Sequence, residues 1–223
     1  MKKQKIFSIN YMTSYDSKIL EKLDLLIKEP KCELEYNNSY ELLIAIVLSS
    51  QTTDKRVNEI TKYLFKEYPT FSTLEKADIK HVEEIIKSLG LYKIKARRII
   101  LLARIIINEY NSIIPLDFDE LLKIPGIGRK TANLYVLLNG MDGFAVDTHV
   151  KRVAERLYLC SGTFREVEEE LKKIFAREIW GKLHHQLLLF GRYTCKAKKP
   201  ICENCLFTKN CSYYDKAIDK SKN

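Results

Sequence analysis

The sequence predicts an all-α protein with next to no strand. Apolar residues recur at helical spacing in almost every patterned segment. No run alternates apolar and polar residues over strand length, and no two runs are joined by a hairpin-type turn. Helix-stopping and helix-capping residues, chiefly Asp, Gly and Pro, fall at the segment ends.

Taken in order, "ILEKLDLLIKE" (19–29) and "ELLIAIVLSS" (41–50) open the series. The second is apolar nearly all round, as a buried central helix is. "DKRVNEITKYLFKEY" (54–68) is amphipathic, with Asp54 as its expected N-cap and Pro69 beyond its end. "ADIKHVEEIIKSLG" (77–90) is expected to end on Gly90 in the left-handed cap conformation. From 93 to 110, Ile99, Leu102, Ile106 and Tyr110 mark one face of a long central helix. A short helix (118–124), a glycine-rich turn and a helix over 129–139 follow. Asp147 stands at the natural N-cap position of the next helix, and two more helical patterns occupy 163–176 and 180–191. The stretches "SLGLYKIKARRI" and "IPGIGRKTANLY" echo each other, each with a Gly-apolar turn before a basic helix start.

The 223 residues suffice for one large domain or two small ones. Lys and Arg number 38 against 29 Asp and Glu, a formal charge of +9. That balance favours a polyanionic partner, nucleic acid ahead of an anionic membrane surface. No apolar run reaches bilayer-spanning length and the basic start lacks a leader's apolar core, so a soluble, intracellular protein is expected.

Two constellations carry chemistry. In "IPGIGRKTANLYVLL" (124–138), Pro125, Gly126, Ile127 and Gly128 make a tight turn, so the amides at the start of the next helix stay accessible at the positive end of its dipole. Arg129, Lys130 and Thr131 add charge and a hydroxyl there. This reads either as a phosphate seat or as a helix–helix corner with solvated basic residues. Lys130 lies in the first helical turn beside Arg129, where dipole and neighbour both disfavour the ammonium form of a nucleophilic amine. Such an amine, attacking a sugar C1′, needs a carboxylate to steady the charge that develops as the base leaves. Asp147 can supply it while capping its helix, or it only caps. The second constellation is the tetrad Cys195, Cys202, Cys205 and Cys211, spaced C-x6-C-x2-C-x5-C in a chain with no secretory signal. Four thiolates in so short a loop suit an iron–sulfur cube or tetrahedral zinc.

These residues resemble the endonuclease III family. The resemblance rests on "LSSQTTD" (48–54), "GLY" (90–92), "IPGIGRKTAN" (124–133), "AVDTHVKRVAERL" (145–157), "HHQLLLFGRYTC" (184–195) and the cysteine tetrad, in family order and spacing. It runs from about Glu33 to Cys211. It implies two helical lobes flanking a DNA-binding cleft: a six-helix barrel with a helix-hairpin-helix over 32–141, and a [4Fe-4S] cluster lobe from 1–31 with 142–214. A frayed tail, 215–223, is expected after it. The implied activity is base-excision repair: removal of oxidised pyrimidines from duplex DNA, then β-elimination at the abasic site. Carried over by position, Lys130 is the Schiff-base nucleophile and Asp147 the assisting carboxylate. Gln51 fills the gap left by the extruded nucleotide, and Leu91 wedges against the opposite strand. Gly126, Ile127, Gly128, Arg129 and Thr131 hold the backbone, and His149, followed by Lys151 and Arg152, faces DNA. The cysteines hold a [4Fe-4S] cluster with a structural and DNA-positioning role, for which the spacing favours the cluster over zinc. A cytoplasmic monomer acting at the nucleoid, with no membrane partner, is the matching expectation. Two alternatives fit less well. Adenine glycosylases lack a lysine at the place of Lys130 and carry a carboxylate near the place of Ala45. A non-enzymatic DNA-binding or electron-transfer protein leaves Lys130 and Asp147 unexplained.

Overall fold

A computed structural model describes residues 12–221, and every regular element among them is helical. The expectations for residues 1–11 and for 222–223 lie outside the described residues. The chain divides into two compact units, one of 32–145 and one of 1–31 with 146–223.

The first unit is built around α2, Ser39–Leu48. Tyr40 to Leu48 are all buried, because a helix that is apolar on every side can be stable only when neighbours cover every side. Each such leucine contributes about 1.5–3 kcal/mol by leaving water. Its polar residues are satisfied: the Tyr40 hydroxyl donates to the Tyr68 carbonyl at 2.6 Å, and Glu41 accepts from the Asn37 amide at 2.7 Å. Around it stand α3, Asp54–Glu67; α4, Phe71–Glu75; α5, Ile79–Ile85; α6, Tyr92–Tyr110; α7, Phe118–Lys123; and α8, Arg129–Leu138. The N-cap of α3 is Thr53 rather than Asp54, its hydroxyl accepting from the Arg56 amide at 3.3 Å. The helix expected over 77–90 is shorter, a single helix over 79–85. α4 has no counterpart in the periodicity because it is a single turn, held by reciprocal Thr70 and Thr73 cap bonds. α5 starts at the Asp78 cap and stops at Ile85.

Gly90 does not take the left-handed conformation; Leu91 does, with φ 60° and ψ 30°, as the N-cap of α6. The two echoing turns therefore differ, since the second one places its glycine, Gly126, at φ 93°. The long α6 buries Ile99, Leu102 and Ile106 as its spacing predicts. Residues 142–145 belong with α8: the Phe144 amide donates to Asn133 Oδ1 at 3.0 Å, and a Cβ at Gly143 would stand 2.2 Å from the Asn133 carbonyl oxygen. That packing carries the first unit to residue 145 rather than 141.

The second unit holds α1, Ser14–Leu26; α9, Thr148–Arg156; α10, Phe164–Ile174; α11, Trp180–Tyr193; and α12, Ser212–Ser221. α1 begins earlier than its apolar pattern because Thr13 and Asp16 form a capping box. It docks on α11, where Gln186 Nε2 donates to Asp24 Oδ1 at 2.6 Å and to the Ile27 carbonyl at 3.0 Å. The hydrogen bond from Lys182, and that from Gln186, hold the Asp24 carboxyl below the usual carboxylate range. Where a frayed tail is expected from 215, α12 is helical to Ser221. Two contacts anchor its start: the Tyr158 hydroxyl on Asp215 at 2.9 Å, and the Arg156 guanidinium 4.1 Å from the Tyr213 ring centre. No helix among the described residues is long and apolar enough to cross a membrane.

Candidate functional site

The glycine-rich turn joins α7 to α8. Leu121, Ile124, Ile127, Ala132 and Leu134 are buried, so the two helices are fixed against the core and the turn is left at the surface. Ile127 packs inside this arrangement. Its side chain is buried, and its amide donates to the Ile124 carbonyl at 3.0 Å. Pro125 has no amide to offer. What the turn presents is the start of α8: Gly128 is its N-cap in extended backbone, and no side chain caps it. An uncapped helix start leaves N–H donors directed outward at the positive end of the dipole, which suits an anion. Gly128, Lys130 and the half-buried Thr131 lie there, and Arg129 rests over the Phe118 ring at 5.0 Å.

The two glycines do different work. Gly126, at φ 93°, has Arg98 packed across it: an added Cβ would lie 2.8 Å from Arg98 Cγ. Gly126→Ala is expected to cost about 1–3 kcal/mol of stability, read by denaturant unfolding. At Gly128 an added Cβ meets nothing within 4 Å. Gly128→Ala should therefore change stability by less than about 0.5 kcal/mol. If this helix start seats a phosphate, the new methyl should still weaken DNA binding in fluorescence anisotropy. Unchanged affinity would contradict a phosphate seat at this helix start.

Gln51 and Leu91 come together in the first unit. Both are exposed non-glycine residues in left-handed backbone, at φ 55° and φ 60°. A Cβ on Gly90 would lie 3.6 Å from the Gln51 carbonyl oxygen, so the two loops run side by side. Behind them is a residue the sequence reading passed over. Lys95 is 2% exposed, and its ammonium donates to Thr52 Oγ1 at 2.8 Å. Burial, with Arg98 nearby, brings its pKa down to about 8.

Asp147 is the N-cap of α9 in the other unit. Its Oδ1 accepts from the amides of His149 at 2.8 Å and Val150 at 2.9 Å, so both cap bonds end on one carboxylate oxygen. His149 Nδ1 lies 3.1 Å from Arg152 Nη2. Lys151 and Arg152, expected to face DNA, both have partners within the protein. Arg152 turns inward, donating to the Gly191 carbonyl at 2.6 Å and the Cys195 carbonyl at 2.9 Å, while Lys151 pairs with Glu155. Both changes follow from helical spacing, which places 152 toward α11 and 155 one turn from 151.

The four tetrad cysteines are free thiols lining one cavity with Arg156, Phe190, Pro200, Phe207 and Tyr213. Cys195 and Cys211 are buried. Burial, followed by the neighbouring cysteines, pushes the Cys202 thiol up, and burial does the same at Cys205. Arg156 Nη1 donates to Cys195 Sγ at 3.2 Å and to the Lys196 carbonyl at 2.8 Å. Among the described residues no three His, Cys, Asp or Glu side chains converge on a single-ion site. Four thiols around a shared cavity, with a guanidinium beside them to balance thiolate charge, suit a thiolate-held metal group.

A family model described as the HhH-GPD superfamily base excision DNA repair protein matches residues 44–177. The chain is 45% identical over 204 residues to endonuclease III of Rickettsia felis, covering 91% of this chain and 96% of that one. It is 42% identical over 189 residues to endonuclease III of Bacillus subtilis, covering 83% and 86%. A trapped endonuclease III–DNA covalent intermediate superposes with a TM-score of 0.89 at 42% identity, covering 93% of this chain and all of that one. A thermostable thymine-DNA glycosylase gives 0.75 at 26% identity, covering 90% and 94%.

Proposed function

The chain belongs to the HhH-GPD superfamily of base excision DNA repair proteins, with the endonuclease III enzymes, and from that premise we propose which of its residues carry the reaction. It is a DNA glycosylase with AP lyase activity. The observation that carries the residue assignment is an exposed lysine at an uncapped helix start, on a turn whose glycine leaves space open beside it.

The α8 N-terminus takes a DNA phosphate on its amides, with Gly128 allowing close approach and Arg129 and Thr131 alongside. The phosphate then needs no lysine, and Lys130 acts as the nucleophile. Its amine attacks C1′ of an oxidised pyrimidine nucleotide, and the C1′–N bond breaks with its electron pair going to the departing base, which takes up a proton. The sugar opens to a Schiff base with Lys130. Loss of a C2′ proton expels the 3′ phosphate, and water hydrolyses the Schiff base and frees the lysine. Asp147 steadies the cationic sugar through its carboxylate while the α9 cap holds that carboxylate still. Gln51 and Leu91 fill the space that the extruded nucleotide leaves, offsetting part of an unstacking cost of a few kcal/mol.

Cys195, Cys202, Cys205 and Cys211 would hold a [4Fe-4S] cluster, for which their shared cavity and the Arg156 guanidinium fit. When bound it supplies a four-way cross-link of the 195–211 loop and no hydrolytic chemistry. The protein acts as a monomer on DNA in the cytoplasm. The test compares two duplexes, one with an oxidised pyrimidine and one with adenine opposite an oxidised guanine. Excision followed by β-elimination on the first alone is expected, from a brown protein with iron and acid-labile sulfide in equal amounts. Excision of adenine instead would overturn this reading in favour of an adenine glycosylase, and zinc in place of iron would overturn the cluster.

A further inference from the structure

The buried Lys95 is unlike the other charged groups of the first unit. Taking an ammonium out of water is costly unless it is paired, yet among the described residues no carboxylate pairs with it. It sits where the two left-handed loops meet. The Thr52 hydroxyl accepts from Lys95 and in turn lies 3.4 Å from the Ser50 carbonyl, while the Thr52 amide donates to the Ser49 carbonyl at 3.2 Å. These bonds straddle Gln51. On its other side Lys95 belongs to the first turn of α6, and its amide donates to the Leu91 carbonyl at 3.0 Å. One residue thus touches both loops, by its ammonium and by its backbone. Left-handed backbone at a non-glycine residue is strained and persists only where surroundings impose it.

We propose that Lys95 is a positioning residue for nucleotide extrusion: its buried ammonium, bonded to Thr52 Oγ1, locks the 49–52 turn so that Gln51 stands out beside Leu91. This rests on the reading of Gln51 and Leu91 as the residues that enter the duplex. The cost of the buried charge is then a cost of rigidity, since a turn free to relax from φ 55° would let Gln51 fold back onto the surface.

The experiment places 2-aminopurine beside an oxidised pyrimidine, so that unstacking appears as a rise in fluorescence when the full-length protein binds. Lys95→Met, which keeps the aliphatic stem, and Thr52→Val, which keeps the shape without the hydroxyl, should each slow that rise and lower kcat for base excision by about tenfold, with KM little changed. Cleavage of a preformed abasic site in single-stranded DNA, which needs no extrusion, should stay near wild type, and Thr52→Ser should restore the rise. Where Lys95→Met fails to fold, Thr52→Val decides alone. Gln51→Ala and Leu91→Ala serve as the reference pair. If they leave the rise intact, the wedge reading has failed and the lock falls with it. If they abolish the rise while Thr52→Val and a folded Lys95→Met keep it within about twofold of wild type, the lock alone is overturned.

Discussion

Lys130→Ala abolishes the covalent adduct that borohydride traps between the protein and damaged duplex DNA, and lowers strand cleavage by about 10³-fold or more. The side chain is exposed at the first turn of α8. Its removal should therefore alter stability by less than about 0.5 kcal/mol, so loss of activity is not loss of fold. Binding to damaged duplex should survive, because the α8 amides and Gly128 are untouched. Lys130→Arg keeps the charge and should be equally inactive, since a guanidinium does not give up its proton to become a nucleophile. An arginine variant with substantial cleavage would show that the position serves only to attract phosphate.

Asp147→Asn separates the two roles of that residue. Asparagine is among the best N-cap residues, and its Oδ1 can keep the bonds from the His149 and Val150 amides. Stability should thus change by less than about 0.5 kcal/mol, whereas Asp147→Ala should cost a further 0.5–2 kcal/mol or about that. Both variants lose the carboxylate proposed to steady the cationic sugar, and base excision under single-turnover conditions should fall by about 10²–10⁴-fold in each. Near-normal excision by Asp147→Asn would reduce the residue to a helix cap.

Much of this was legible in the sequence because helical periodicity is a local signal. The all-round apolar α2 and the striped α6 declare their burial residue by residue. The cap of α9 at Asp147 was legible for the same reason. What failed to show depends on neighbours distant in sequence. Gly90 reads as a left-handed cap, but the loop carrying Gln51 runs against it, and the strained conformation falls on Leu91 instead. Ile127 reads as one of the apolar residues that bury α7 and α8 against each other, and its side chain is buried there; what the pattern did not show is that its amide bonds back to Ile124 within the turn. Lys95 lies in a basic run whose other members look solvated. Only its contact with Thr52, 43 positions earlier, distinguishes it. Arg152 turned inward for a similar reason, as its acceptors come from Gly191 and Cys195.

The central claim is that the Lys130 amine itself bonds to the sugar. Borohydride trapping on an oxidised-pyrimidine duplex, followed by proteolysis and mass mapping of the peptide that carries the deoxyribose remnant, tests it directly. The remnant should sit on Lys130. A remnant on another lysine, or none at all from the wild-type protein, would contradict it.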